Sequence, residues 1–557
     1  LVPSHSENRP EAIKLSGLHV HRGISASTTL THESVQLHLR ATKTRYEKWY
    51  YVVGGMGSQF TFFSFNPDLE TAKCALLERV YFHEVSGGFE PPFKPEARIV
   101  DGLLQPFSKE FDRLVVTSHP VALDTYPSVY TGRRRALYEK AAKKVLVSGF
   151  IPKYAYLNSF VKCEKLQTVT SKSKEPNKWV NASVPRLIQP RKPEFNVCVG
   201  RFLRHLELKI FSMVNRVFGD SAGRDAYAPV IQKGFNTFQR AQHMYAGWSR
   251  ISNPRAIILD ATRFDQHVNP SVLRWEHRRY LKFYGGSDRR ELSKLLSAQI
   301  HNRGYIRTSE GKIKYEVEGG RCSGDMNTSL GNCLIMCAAV YAYMHSLKIA
   351  PRDFALINDG DDCVLIVHDT DADRVASSLA EWFKKIGFLI KVGAPVAEFE
   401  DIGFCQTHPV FDGHIWRLVR NFPESLSKDA TVLIDITNPA VYPRYFRSIG
   451  DCGAALTFGM PVLQEYYECF RRAASGLPLD HPVFETGMYR LAAGLSPRYE
   501  PVTDEARVSF AKAFGLLPDA QLEIEQYYRT LDLKDLKVYR EPGPRLMIPV
   551  VCSTVRL

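Results

Sequence analysis

The chain has no Gly-x-x-x-x-Gly-Lys-Ser/Thr loop, no Cys-x-x-Cys pair and no ordered Cys/His cluster with zinc spacing. Without the first, nucleotide phosphates would have to be held by scattered basic side chains, and without the others a zinc ribbon or finger is excluded. The 11 cysteines are dispersed, which fits reduced, mostly buried thiols in a cytoplasmic setting. Long apolar runs are missing too. The longest, 333–344, is too short to span a bilayer, and no signal-peptide pattern is visible at the start.

Acidic residues are in the minority. The 557 residues include 73 Lys and Arg against 59 Asp and Glu, for a net charge of +14 and a pI near 9.1. That balance favours a polyanionic partner such as RNA, although a basic protein without one is equally compatible with it. With 44% hydrophobic and 24% charged residues, disorder of the whole chain is excluded. The length corresponds to roughly three or four domain-sized units.

What is present is a set of acids in a particular order. Asn358-Asp359-Gly360-Asp361-Asp362 lies between two short apolar runs, 354–357 and 363–367. The runs predict strands and Asp-Gly predicts a tight turn, giving a hairpin with carboxylates at its tip. Adjacent acids repel, so such a tip is either solvated or neutralised by a cation. Upstream, Ala256-Ile257-Ile258-Leu259 predicts a buried strand ending in Asp260, with Asp265 beyond it. Between these stretches, 319–324 predicts a Gly-rich loop running into a helix. On that helix Asp325, Thr328 and Asn332 are spaced for one polar face, and Leu330, Leu334, Cys337 and Tyr341 for an opposite apolar stripe. Gly324 would free the loop to take positive φ, and Gly331 would let another backbone approach.

Acidic strand, Ser323-Gly324 loop with helix, then Gly360-Asp361-Asp362 hairpin: this order resembles the palm motifs of viral RNA-dependent RNA polymerases, most closely those of tombusviruses and umbraviruses. The resemblance runs from about Tyr130 to about Asp429 and includes Lys162-Cys163-Glu164, Arg186-Leu187-Ile188-Gln189-Pro190-Arg191, Phe264-Asp265-Gln266 and Phe404-Cys405-Gln406. It implies an α+β fold, a closed right hand of fingers, palm and thumb with an antiparallel palm sheet and a mainly helical thumb. The implied activity is RNA-directed nucleotidyl transfer by a two-metal-ion mechanism, replicating a positive-strand viral RNA genome.

The resemblance also implies roles. Asp260 and Asp361 would be the principal Mg2+ ligands with Asp362 as adjunct, and Mn2+ could substitute. Asp265 with Asn332, and Thr328 beside them, would hydrogen-bond the ribose 2′-hydroxyl, with Ser323 and Gly324 in the substrate-binding loop. Lys162, Arg186 and Arg191, joined by Lys178, would line the nucleotide channel and clamp the triphosphate. Lys391 is the candidate proton donor to pyrophosphate, and Lys384 and Lys385 compete with it. The segment from Phe404 leads to a hairpin through Asp412-Gly413, like the element that grips the primer, where Cys405 is expected as a small packing residue. One departure is Asp359, where relatives often have Asn; it would alter the charge near the metals without removing a ligand.

The expected divisions are an N-terminal extension or fingertip region at 1–110, fingers at 111–250, palm at 251–428 with a fingers insertion within about 271–317, and thumb at 429–557. A stiff Pro-rich linker at 90–95 marks the first boundary, and a basic helix at 131–145 would border the RNA channel. An amphipathic helix at 376–387 and a strand at 388–392 would follow the acidic hairpin, and 462–474 and 504–514 read as thumb helices. Expected partners are template and product RNA, NTPs, and a viral auxiliary replication protein or an upstream fused segment. Leu1 in place of Met fits the downstream part of a frameshift or readthrough product, or trimming. The expected place is the host cytoplasm, in membrane-associated replication complexes that touch host membranes only indirectly. Two alternatives stand beside this reading: a reverse transcriptase-like polymerase, which Asp265 and Gly360 argue against, and a catalytically inactive RNA-binding scaffold, which the complete set of acids argues against.

Overall fold

The structure is a computed structural model that describes residues 17–41, 46–58, 60–85, 88–167, 184–219, 229–481 and 487–540. Lys178 lies outside them. The fold is α+β. Its central sheet is antiparallel, with strands in the order Phe354–Asp359, Asp362–His368, Pro254–Ala261 and Ile390–Val392. Both faces of this sheet are covered, which is why its strands read as nearly continuous apolar runs. Leu259, Leu356, Cys363, Leu365 and Val367 face a core shared with the helices Thr328–Ser346 and Asp369–Lys385. Ala256, Ala355, Ile357, Val364 and Ile366 face the other way, against the helix Thr237–Arg250 and Phe399, Ile402 and Leu418.

Three expectations about these helices need correction. Thr328–Ser346 is not half-exposed: almost every residue from Leu330 to Met344 is buried, because sheet and helices surround it. Gly331 is needed there, but a side chain added to it would collide with the Arg321 and Glu276 side chains rather than with a neighbouring backbone. The helix after the hairpin begins earlier than 376, at Asp369, because His368 Nδ1 accepts from Thr370 N at 3.2 Å and caps it.

A five-stranded sheet stands beside the first, in the order Val35–Leu39, Gly311–Glu318, His301–Arg307, Leu157–Val161 and Leu187–Ile188. It joins the 301–318 hairpin to strands far upstream. A four-stranded sheet then ties the start of the described chain to its end: Thr431–Val432, Trp49–Gly54, Gly17–Arg22, Val538–Arg540. The residues before the Pro-rich stretch are thus divided among other sheets. Leu18, Val20 and Val53 share one core with Phe446, Tyr466, Phe510 and Tyr528. The C-terminal part is mainly helical, with Tyr442–Thr457, Leu463–Arg472, Asp504–Phe514 and Pro518–Thr530. The basic helix spans Gly132–Ser148, and the hairpin through Asp412-Gly413 pairs Thr407–Phe411 with Trp416–Arg420. Among the described residues no helix is long and apolar enough to cross a membrane.

Leu365 sits fully buried in an inner strand of the central sheet. Leu365→Ala is expected to cost about 2–5 kcal/mol, read as a fall in the urea midpoint. A loss below about 1 kcal/mol would contradict the packing described for this sheet.

Candidate active site

The acidic hairpin closes with a two-residue turn, Gly360-Asp361, so that Asp359 faces Asp362 across the ladder. The turn is one residue later than Asp359-Gly360, because Gly360, at φ 93°, supplies the left-handed conformation a tight hairpin needs. Asn358 locks it: its buried side chain donates to Gly360 O at 2.7 Å and accepts from Gly360 N at 3.2 Å. Residues 230–232 brace the same strand, with Gln232 N donating to Asn358 O and Asn358 N to Val230 O, each at 2.8 Å.

Asp260 lies directly opposite Asp362 on the neighbouring strand, which brings the acids of the two motifs together. Asp359 is handled separately. Lys233 reaches it at 2.5 Å and Arg240 at 2.7 Å, and against the cost of burial these two cations hold its carboxyl below the usual range. The unusual charge at 359 is therefore neutralised by partners that no motif marks. Neither Asp361 nor Asp362 has a Lys or Arg at ion-pair distance among the described residues. Burial pushes the Asp361 carboxyl up. Burial, with Asp361 and Asp359 nearby, pushes Asp362 to about 6. Cys405 does more than fill space. It has φ 52°, and its thiol donates to Asp359 Oδ2 at 3.5 Å and Asp362 Oδ2 at 3.6 Å.

After Asp260 the chain turns through Arg263, at φ 50°, into the short helix Phe264–His267. Arg263 Nη1 donates to Glu78 O at 2.5 Å, so an N-terminal segment holds the turn in place. The helix brings Asp265 to Asn332, whose Nδ2 donates to Asp265 Oδ1 at 3.0 Å. Burial pushes Asp265 to about 6, although the Asn332 hydrogen bond opposes it. Thr328 is nearby, but its hydroxyl donates to Cys322 O and Asp325 O, each at 3.0 Å, and so secures the loop. Ser323 Oγ donates to Leu187 O at 3.1 Å. A side chain on Gly324 would come 2.8 Å from Pro190 Cα, so this loop and 187–190 interlock only with glycine there.

The basic residues divide. Lys162 and Arg186 both line the cleft and share Glu164: Lys162 Nζ stands 3.1 Å from Glu164 Oε2, and Arg186 Nε donates to Oε1 at 2.7 Å. The Glu164 hydrogen bond holds Arg186 charged, with Asp361 and Asp265 adding to it. Arg191 does not line the cleft. Its guanidinium is buried, paired with Asp325 at 2.5 Å and donating to Asn302 Oδ1 at 2.6 Å and Ala155 O at 2.7 Å. A buried, fully committed guanidinium cannot clamp an arriving phosphate. Asp325, which lines the cleft, is neutralised by this pair. Lys391 lies opposite Asp260 in the sheet and opens into the cleft, whereas Lys384 and Lys385 are exposed on the 369–385 helix away from it.

The cleft is a cavity of about 1540 Å³. Asp260, Asp265 and Asp361 lie on one side of its chemistry, and Arg79, Arg134, Lys162, Arg186, Arg263 and Lys391 on the other. Arg79 is a lone arginine outside any motif and carries no local signal, whereas Arg263 stands between Asp260 and Asp265, where the acids carry the signal. Among the described residues no three His, Cys, Asp or Glu side chains converge into a ready-made ligand cage. The donor set suits instead a hard divalent cation bound by one or two carboxylates and completed by substrate oxygens and water, as magnesium prefers. The uncompensated repulsion around Asp361 and Asp362 is what such a cation would relieve.

Two outcomes follow from this geometry. Arg191→Ala is expected to destabilise the protein by about 3–5 kcal/mol through its orphaned buried partner, and Arg186→Ala by about 1 kcal/mol or less. Equal losses in Tm would refute the distinction. Asp265 and Asp362 titrate near 6 in the folded state, above the ordinary carboxyl value. The folded state therefore binds more protons than the unfolded chain, so these groups oppose stability above that pH and the opposition fades as pH falls through it. In EDTA, Asp265→Asn should raise Tm more at about pH 7.5 than at about pH 5.5. An increment independent of pH would show that Asp265 titrates elsewhere.

The comparisons agree with the geometry. The family model for viral RNA dependent RNA polymerase matches residues 36–535. The chain is 36% identical over 487 residues to the RNA-directed RNA polymerase of Tobacco necrosis virus (strain D), covering 86% of this chain and 64% of that protein. It is 36% identical over 488 residues to that of Turnip crinkle virus, covering 86% and 59%, and 34% identical over 534 residues to that of Tomato bushy stunt virus (strain Cherry), covering 95% and 62%. It thus spans under two thirds of the length of each of these relatives. With the acids, the Ser-Gly loop and the hairpin assembled around one cleft, the chain belongs to the viral RNA-dependent RNA polymerase family.

Proposed function

We propose that this chain is an RNA-directed RNA polymerase that replicates a positive-strand viral RNA, with template and product RNA as partners and NTPs as substrates. The observation that carries the reading is the meeting of Asp260, Asp361 and Asp265 in one basic-walled cleft. The names of the relatives support it. In this reading the central sheet is the palm, within 251–428; 111–250 and the insertion at 271–317 are fingers; 429–557 is thumb. The described residues of the 1–110 region close the hand, because their strands pair with both the five-stranded sheet and the C-terminal strands.

The family generally uses divalent metal ions. Asp260 and Asp361, with Asp362 beside them, would hold Mg2+, or Mn2+ in its place. Bound there, the ions would activate the primer 3′-hydroxyl and neutralise charge on the departing pyrophosphate. The remaining tasks belong to the chain itself. Lys162 and Arg186 bind the triphosphate, with Glu164 fixing the guanidinium and leaving the pair a net positive charge. Arg191 acts from behind, pinning the 322–325 loop through Asp325. Asp265 and Asn332 bind the ribose 2′-hydroxyl, the group that separates NTP from dNTP. Lys391 holds the proton that pyrophosphate takes on leaving. An auxiliary viral protein, or a fused upstream segment, and indirect attachment to host membranes in the cytoplasm complete the proposal.

Asp361 lies at a turn and supports no core contact, so Asp361→Ala should keep the Tm and RNA affinity within about twofold in Kd and abolish nucleotide incorporation. Incorporation within about tenfold of the parent would remove Asp361 from the metal site.

A further inference from the structure

Behind Asp265 a chain of buried hydrogen bonds runs back to the helix Pro270–Leu281. It starts at Glu276, fully buried and ion-paired with the equally buried Arg321. Glu276 Oε1 also accepts from Tyr280 Oη at 2.8 Å and Asn327 Nδ2 at 2.9 Å. The Asn327 amide is oriented in turn by Gln299 Nε2, which donates to its Oδ1 at 2.9 Å. Arg321 Nε then donates to Asn332 Oδ1 at 3.0 Å, and Asn332 Nδ2 donates to Asp265 Oδ1 at 3.0 Å. Arg321 N donates to Asp265 O at 2.7 Å, so side chain and backbone of the two residues are joined.

The direction of every bond is forced. A guanidinium only donates, so Asn332 must turn its oxygen to Arg321 and its NH2 to Asp265. If Arg321 were loosened, the Asn332 amide could flip and set oxygen against oxygen. Anchored, it occupies Asp265 Oδ1, while Oδ2 has no hydrogen-bond partner among the described residues and can accept from a ligand hydroxyl.

We propose that Arg321 and Glu276 are positioning residues for sugar selection: they fix the Asn332 amide so that Asp265 presents one free oxygen to the 2′-hydroxyl of a ribonucleoside triphosphate. This rests on the reading of Asp265 given above. A merely structural ion pair would leave sugar choice alone, because its loss would slow ribo- and deoxyribonucleotide incorporation together.

The test is steady-state incorporation by the full chain on one primed RNA template, with an NTP and its 2′-deoxy counterpart measured separately. Arg321→Lys keeps the charge beside Glu276 but lacks the fork that reaches Asn332 as well. Glu276→Gln keeps an acceptor but loses the charge that holds the guanidinium. In both, the ratio of kcat/KM for NTP to that for dNTP should fall about threefold to tenfold, the scale of one net hydrogen bond, with the change mainly in KM for NTP. A ratio unchanged in both overturns the proposal. Asp265→Ala separates the two levels. A ratio unchanged there sinks the sugar-reading role and the relay with it, whereas a ratio lowered there but not in Arg321→Lys or Glu276→Gln sinks the relay alone. Combined with Asp265→Ala, Arg321→Lys should lower the ratio no further; an additional independent drop counts against the relay. If a charge variant fails to fold, Tyr280→Phe, which loosens Glu276 without touching the ion pair, should still lower the ratio by about twofold. No change in it overturns the proposal.

Discussion

Asp260, Asp359, Asp361 and Asp362 crowd one end of the central sheet, and four carboxylates on a concave wall repel more strongly than water alone can screen. The surrounding structure answers that repulsion in two ways. Asp359 receives two cations of its own, the buried Arg240 and the half-buried Lys233. Asp361 and Asp362 are left without such partners among the described residues, and their protons are held correspondingly tightly. The difference matters because a salt-bridged acid is spent on structure, while an uncompensated one retains affinity for a divalent ion.

The same division runs through the basic side chains. Arg191, Arg321 and Arg240 are buried and committed to carboxylates. Lys162, Arg186 and Lys391 reach the cleft. The buried set fixes loops and amides, and the cleft set gives the cavity wall its positive charge. Residue type alone does not reveal the set to which an arginine belongs.

That limit explains what could be read beforehand. The hairpin, the strand ending in Asp260 and the helix after Ser323-Gly324 were legible because each is local: turn chemistry, apolar runs and glycine placement are written within about ten residues. The C-terminal helices were legible for the same reason. Arg191 was misplaced because its partners Asp325 and Asn302 are more than a hundred positions away, and only the fold shows that it is walled in. Lys233, Arg240 and Arg79 lie outside every motif, and Arg263 is overshadowed by the acids on either side of it. The half-exposed face expected for the 328–346 helix failed because periodicity counts residues on the helix but not the elements packed around it.

The strand Gly17–Arg22 lies between Trp49–Gly54 and Val538–Arg540, pairing Leu18 with Val538 in parallel. The first partner is made almost at once during synthesis. The second leaves the ribosome only after some five hundred further residues, on the order of a minute later at ordinary elongation rates. One edge of the early strand therefore stays open while the residues between the two partners are being produced, and an open edge is a template for unwanted pairing. Completion of this sheet is a late step in the life of the molecule, after every strand of the central sheet has been made.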